Sequence, residues 1–361
     1  MNKTIFIAGG GTGGHLFPAI SIGQELIKNN YSVIFIGSKF GVEKVFFKNQ
    51  SFKYYLFNIR GLQRDLSIKS ILKNLLFPVR FIFSYLLSII LILKYKPCAI
   101  IGTGGYASGL PLIAGINLKI PIFIQDQNSI PGIITKRLHI YARNIFSGYP
   151  KTYHLKNKNY IFTGNPLRND LKIIDRKAAK NKLKFDINKK LILIVGGSQG
   201  AQAINMHISR NIKFYIKNNL QILWQCGSCD INKIQNNINN KSILISDFIK
   251  DMSTAYSAAD IVISRAGAIA ISELAYFKKA MILIPLPSSA ENHQEINANH
   301  VESKKACKKI LQKELKNGNL ESYIKMLINN NQKIEELENN TVSIVKPNAT
   351  KTIINHIIKN I

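Results

Sequence analysis

The sequence predicts an α/β protein made of two doubly wound, Rossmann-like parallel-sheet domains. Three observations predict it. A short apolar run, a glycine-rich turn and a helical stretch succeed one another three times, beginning at residues 5–8, 98–101 and 191–195. Buried parallel strands read as continuous apolar runs, and glycine turns at their carboxyl ends are where such sheets meet ligands. The strand–helix alternation restarts after Gly164-Asn165-Pro166, and 361 residues with 46% hydrophobic content suit two cores better than one.

In chain order, further strands are expected at 33–36, 120–124, 144–146 and 160–162, then at 222–224, 243–245, 261–263 and 281–284. Residues 1–164 form the first expected domain and 165–344 the second. A final helix at about 345–361, with Ile353, Ile354, Ile357 and Ile358 at helical spacing, is expected to close back onto the first domain. Residues 75–93 carry one charge, Arg80, and approach the ~20 residues that span a bilayer. Arg80, Ser84 and Ser88 mark a polar stripe on one face of this helix. A single crossing would also put the strands at 33–36 and 98–101, which must share a sheet, on opposite sides of a membrane. Two readings remain: a buried crossover helix, or one lying on an anionic membrane with Lys69, Lys73, Arg80, Lys94 and Lys96 around it. On the second reading, changing Leu87 and Leu91 to Ser should weaken liposome binding.

Lys and Arg number 49 against 20 Asp and Glu, a net charge of +29, which favours an anionic partner. The lysines are scattered rather than clustered among aromatics, which argues against a nucleic-acid-binding protein. Four cysteines make no disulfide framework. Cys226-Gly-Ser-Cys229 has redox spacing but no second cysteine pair or histidine cluster, and it reads as the end of a strand. The opening apolar run is shorter than the ~7–15 residues of a secretory signal.

Gly9-x-Gly11-x-x-Gly14 matches a dinucleotide fingerprint, but the second strand ends Ile36-Gly37-Ser38-Lys39 without the acidic residue that would hold a ribose. No P-loop and no Asp-x-Asp pair occurs, so no metal or cofactor is expected. The glycine turns are instead expected to bind anions through backbone N–H groups and helix dipoles.

Several motifs then occur in order: Gly9-Gly10-Gly11-Thr12-Gly13-Gly14-His15 with Phe17-Pro18, Gly102-Thr103-Gly104-Gly105-Tyr106 with Ser108-Gly109, Gln127-Asn128, and Gly164-Asn165-Pro166-Leu167-Arg168. They continue with Gly196-Gly197-Ser198-Gln199-Gly200-Ala201, Ser264-Arg265-Ala266-Gly267-Ala268 with Glu273, and Asn292-His293-Gln294 with Asn297-Ala298. Over nearly the whole chain this set resembles the MurG family, peptidoglycan N-acetylglucosaminyltransferases of the glycosyltransferase family 28 type. The resemblance implies a GT-B fold with a cleft between its domains, UDP-N-acetylglucosamine as donor, and lipid I, undecaprenyl-pyrophosphoryl-MurNAc-pentapeptide, as acceptor. It also implies lipid II as product and a peripheral place at the cytoplasmic face of the inner membrane, among anionic lipids.

By the same resemblance, Ser198 and Gln199 face the diphosphate, Arg168 is a phosphate-facing or hinge cation, and the backbone of Ile249 reads the uracil edge. In the run Ala268, Ile269, Ala270, Ile271, Ser272 and Glu273, the carboxylate accepts ribose hydroxyls. His293 and Gln294 contact sugar hydroxyls, while Thr12, Gly13, Gly14, His15 and Asn128 face donor sugar and acceptor. The inverting reaction needs a base for the acceptor's C4 hydroxyl. His15 is the candidate, since a helix N-terminus favours the neutral imidazole, though it could instead hold the loop or contact acceptor phosphate. Asn128 positions a sugar or acceptor group. Rival readings are a GT-B enzyme with another lipid or natural-product acceptor, and a UDP-sugar epimerase.

Overall fold

The computed structural model describes residues 3–49, 51–61, 75–150, 159–197 and 200–361. The chain divides into two compact units, Met1–Arg168 with Lys346–Ile361, and Asn169–Val345.

The first unit holds seven strands: β1 (Thr4–Ala8), β2 (Ser32–Ser38), β3 (Lys53–Phe57), β4 (Ala99–Gly102), β5 (Ile122–Asp126), β6 (Asn144–Ser147) and β7 (Tyr160–Phe162). They form one parallel sheet in the order β3-β2-β1-β4-β5-β6-β7. Side chains alternate between two cores. Ile5, Ile7, Val33, Phe35 and Ile101 face one layer, and Phe6, Ala8, Ile34, Ile36 and Ile100 face the other. Burial on both faces is why these strands read as unbroken apolar runs.

The helices of this unit that matter for the site are α1 (Gly13–Lys28), α2 (Glu43–Phe46), α3 (Phe77–Tyr95) and α4 (Tyr106–Asn117). Polarity in α3 is the reverse of an ordinary surface helix. Ser84 and Ser88, 3% and 1% exposed, face inward with Leu91 and Ile92, and the Ser88 hydroxyl donates to the Ser84 carbonyl at 2.8 Å. Phe83 at 69%, Ile90 at 58% and Leu93 at 60% point outward. The two serines of the polar stripe therefore lie on the packing face, where small side chains let α3 approach α4, while Arg80 is only half-buried. Leu91 is likewise an inward residue, and of the Leu87/Leu91 pair it is unsuited to testing contact with lipid. By length and composition α3 could cross a membrane, but β3 before it and β4 after it lie in one sheet, so α3 is a crossover helix.

The second unit repeats the plan. β8 (Leu191–Val195), β9 (Gln221–Gln225), β10 (Ile243–Ser246), β11 (Ile261–Ser264), β12 (Ala280–Leu283) and β13 (Cys307–Lys309) form a parallel sheet in the order β10-β9-β8-β11-β12-β13. Its site-bearing helices are α5 (Gln202–Arg210), α6 (Ala268–Tyr276) and α7 (His293–Ser303). The last helix, α8 (Ala349–Lys359), returns to the first unit, where Ile353, Ile354 and Ile357 join the core that contains Leu16, Ile20 and Phe35.

One charge network in the second unit has a measurable cost. Asp260 accepts from Lys180 at 2.7 Å, from Arg176 at 3.2 Å and from the Leu191 N–H at 2.8 Å. Lys279 nearby is 3% exposed and donates to the carbonyls of Ala259 (2.9 Å) and Ser257 (3.3 Å). Burial, then the Arg176 charge, lowers its pKa to about 8. Between pH 8 and 10.5 the unfolded chain holds this proton more firmly than the folded one, so this group's contribution to stability rises with pH across that window. Relative to Lys279→Met, the wild type should therefore gain on the order of 2–3 kcal/mol between pH 7 and pH 10. Urea denaturation of both proteins at the two pH values checks this; a constant difference would show that Lys279 is not strained by burial.

Candidate active site

In a doubly wound sheet, ligands bind beyond the carboxyl ends of the strands where the strand order reverses. That point lies between β1 and β4 in the first unit and between β8 and β11 in the second.

In the first unit, three turns converge around His15 in the first turn of α1. The Thr103 N–H donates to the Ala8 carbonyl at 2.9 Å, joining the turn after β4 to the end of β1. A Cβ on Gly104 would lie 2.6 Å from His15 Nδ1, and one on Gly105 would strike the Gly10 carbonyl, so this close approach requires glycine. His15 Nδ1 lies 3.1 Å from the Thr103 carbonyl and 3.0 Å from Gln127 Oε1. A carbonyl oxygen can only accept, so Nδ1 carries the hydrogen, and in the neutral ring the basic lone pair is on Nε2. Thr103 Oγ1 donates to the His15 carbonyl at 2.9 Å, holding the residue at its backbone too.

The turn after β5 supplies the rest. Gln127 Nε2 donates to the Thr103 carbonyl at 2.7 Å and to Gln125 Oε1 at 2.5 Å, and Asn165 Nδ2 donates to the Gln127 carbonyl at 3.1 Å. Asp126 is buried beneath this turn and accepts from the N–H groups of Asn128 (3.2 Å) and Gly132 (3.0 Å) and from the Thr135 hydroxyl (2.5 Å). Burial raises its carboxyl above the usual range, and these bonds pull it partly back. Asp126 thereby sets the backbone that carries Asn128. Gly13 and Gly14 open α1 after Thr12, whose hydroxyl makes no capping bond. Arg168 packs its guanidinium over the Phe17 ring, 5.0 Å from the centroid, beside the same helix.

Sequence reading missed Glu43. Its carboxylate is fully buried under the first glycine turn, and Gly11 and Ser38 donate their N–H groups to it. The signal was the absence of an acid at the end of β2, because the acid comes instead from the start of α2.

In the second unit, Gly200 leads into α5 and Gly267 into α6, on neighbouring strands β8 and β11. Ser198 and Gln199 lie outside the described residues. Along α6, Ala268, Ile269, Ile271 and Glu273 are buried, while Ala270 and Ser272 are partly exposed. Glu273 Oε2 accepts from the Tyr256 hydroxyl at 2.9 Å, which orients the carboxylate. The Ile249 N–H donates to Gln225 Oε1 at 2.9 Å, and Gln225 Nε2 donates to the Gly197 carbonyl at 2.9 Å. One amide thus ties the β8 glycine turn to the backbone expected to read a base edge. Glu291 and Asn292, both left-handed at φ 51° and 55°, turn the chain into α7. There His293 Nδ1 lies 2.8 Å from the Ala290 carbonyl, and Gln294 Oε1 accepts from the Leu286 N–H at 3.0 Å. Gln294 therefore anchors the turn after β12. Arg265 is also structural, donating to the Ile284 and Pro285 carbonyls. Among the described residues no group of three His, Cys, Asp or Glu is placed to hold a metal ion.

Two Rossmann-like parallel sheets, each with glycine turns at the strand-order reversal, define the GT-B class of glycosyltransferases. Residues 5–147 match the glycosyltransferase family 28 N-terminal domain and 191–357 the family 28 C-terminal domain. The chain belongs to glycosyltransferase family 28. It is 40% identical to a Flavobacterium psychrophilum protein named UDP-N-acetylglucosamine--N-acetylmuramyl-(pentapeptide) pyrophosphoryl-undecaprenol N-acetylglucosamine transferase, over 98% of this chain and 96% of the relative. A Thermodesulfovibrio yellowstonii protein of the same name is 37% identical over 97% and 96%. The crystal structure of Acinetobacter baumannii MurG superposes with a TM-score of 0.78 at 26% identity, covering 99% of both chains.

Proposed function

We propose that this chain transfers N-acetylglucosamine from UDP-N-acetylglucosamine to the C4 hydroxyl of the MurNAc residue of lipid I, inverting the anomeric centre and forming lipid II. The observation that carries it is end-to-end similarity to relatives bearing that transferase name; the hydrogen bonds that fix the tautomer of His15, in the first turn of α1, support it. His15 Nε2 takes the proton of the acceptor hydroxyl as its oxygen bonds to C1 of the sugar. The C1–oxygen bond to UDP breaks, and the electron pair leaves with the diphosphate. Backbone N–H groups at the starts of α5 and α6, with Ser198, Gln199 and Arg168, meet that charge. Glu273 accepts the ribose hydroxyls, Ile249 reads the uracil, His293 and Gln294 hold the sugar, and Asn128 with Thr12, Gly13 and Gly14 positions the acceptor. The outward apolar face of α3, with Arg80 and Lys94, supports a peripheral place on the cytoplasmic face of the inner membrane, against anionic lipid.

The test is transfer of labelled N-acetylglucosamine to a lipid I analogue, with and without chelator. Transfer should survive chelation and fall by about 10²-fold in Glu273→Ala, chiefly through weaker donor binding, since the variant loses charge-assisted bonds. Donor binding by folded wild type without transfer to lipid I would reject the acceptor assignment.

A further inference from the structure

We propose that Glu43 is a positioning residue for this reaction: its buried carboxylate holds the first glycine turn, and through that turn the helix start that presents His15. The inference rests on the function proposed above. Glu43 opens α2 and is 0% exposed. The Gly11 N–H donates to both of its oxygens, at 2.8 and 3.1 Å, and the Ser38 N–H donates to Oε1 at 2.7 Å. Hydrogen bonds to an ionised acceptor are about twice as strong as neutral ones. The space around the carboxylate is made by glycines, because a Cβ on Gly10, Gly37 or Gly41 would collide with the Glu43 side chain.

In a dinucleotide-binding domain, the N–H groups of this turn take a pyrophosphate and an acid at the end of β2 takes a ribose. Here one internal carboxylate bridges those two places. The Gly11 N–H of the turn is taken by the protein's own carboxylate, so this part of the turn serves as a fixed support. Its path continues directly into the site, for the Thr12 carbonyl accepts from the N–H groups of His15 (3.2 Å) and Leu16 (3.1 Å). His15 is thereby held by its helix start on one side and by Thr103 and Gln127 on the other. Released from Glu43, Gly10 and Gly11, both at positive φ, would regain the broad freedom of glycine.

Glu43→Gln keeps the side-chain shape but turns an N–H donor toward Gly11. It is expected to lower kcat by about 10- to 10²-fold, the cost of a small displacement of a reacting group, with UDP affinity unchanged. Hydrogen exchange should quicken in peptides covering 9–16 and stay the same in those covering 191–195. Gly41→Ala, which crowds the carboxylate without removing it and has no left-handed φ to strain, should show the same split in milder form. Wild-type kcat in Glu43→Gln, unchanged exchange at 9–16, or an equal loss of UDP affinity would each overturn the proposal. A wild type that fails to transfer to lipid I counts against the proposed function instead, and the exchange measurement then judges Glu43 by itself.

Discussion

Replacing His15 with Asn is expected to lower kcat by about 10²- to 10⁴-fold, the usual worth of a general base, and to leave UDP affinity unchanged. Asn is the informative choice because its amide nitrogen can stand near the position of Nδ1 and keep a donor for the Thr103 carbonyl. What disappears is Nε2. Gln makes the complementary variant, reaching toward Nε2 while abandoning the bond near the backbone. If His15 only braces the turn, Asn should retain most activity and Gln should lose stability. If it takes the proton, both should fold and both should fail in transfer. Steady-state transfer and thermal unfolding of the two variants separate these outcomes.

The second large effect concerns α3. Phe83→Ser with Ile90→Ser removes two outward apolar side chains, each worth about 1.5–3 kcal/mol when taken from water into an apolar phase. Partition onto vesicles with anionic lipid should fall by about 10²-fold or more, with thermal stability close to wild type. Leu91→Ser should behave oppositely. Leu91 is buried, so that change should cost about 2–5 kcal/mol of stability and hardly alter partition per folded molecule. Unchanged partition in the double variant would remove α3 from the membrane-facing surface.

These two predictions depend on unequal legibility in the sequence. Interior strands were readable because both faces are covered and nearly every residue is apolar, as in Leu191-Ile-Leu-Ile-Val195. The two strands that escaped notice, Lys53–Phe57 and Cys307–Lys309, are both at sheet edges. Both carry lysine, which protects the open hydrogen-bonding side of an edge, whereas the other two edges, β7 and β10, keep the short apolar runs that the sequence shows. The stripe of Ser84 and Ser88 was visible, but its direction was not, since helical spacing says which residues share a face and not what the face meets.

At the candidate site, His15, Asn128 and Glu273 were legible as candidates because each belongs to one of the ordered motifs. Glu43 was not, since its partner lies across the fold: Gly11 is 32 residues from Glu43 in sequence. Gln225 is similar, a strand residue whose amide reaches both Gly197 and Ile249. A sequence shows which groups bear chemistry more readily than which groups hold them still.

The return of α8 to the first unit has a consequence for how this chain is made. Ile353, Ile354 and Ile357 are part of the core that contains Ile5 and Ile7, yet more than 300 residues are translated between them. The unit that leaves the ribosome first is thus the last to be sealed. Until α8 arrives, a greasy strip beside α1 stays open to water and to chaperones, at a time when the second unit can already have folded from contiguous chain. A released chain truncated before Lys346 should accordingly show a protease-resistant second unit and a labile first one.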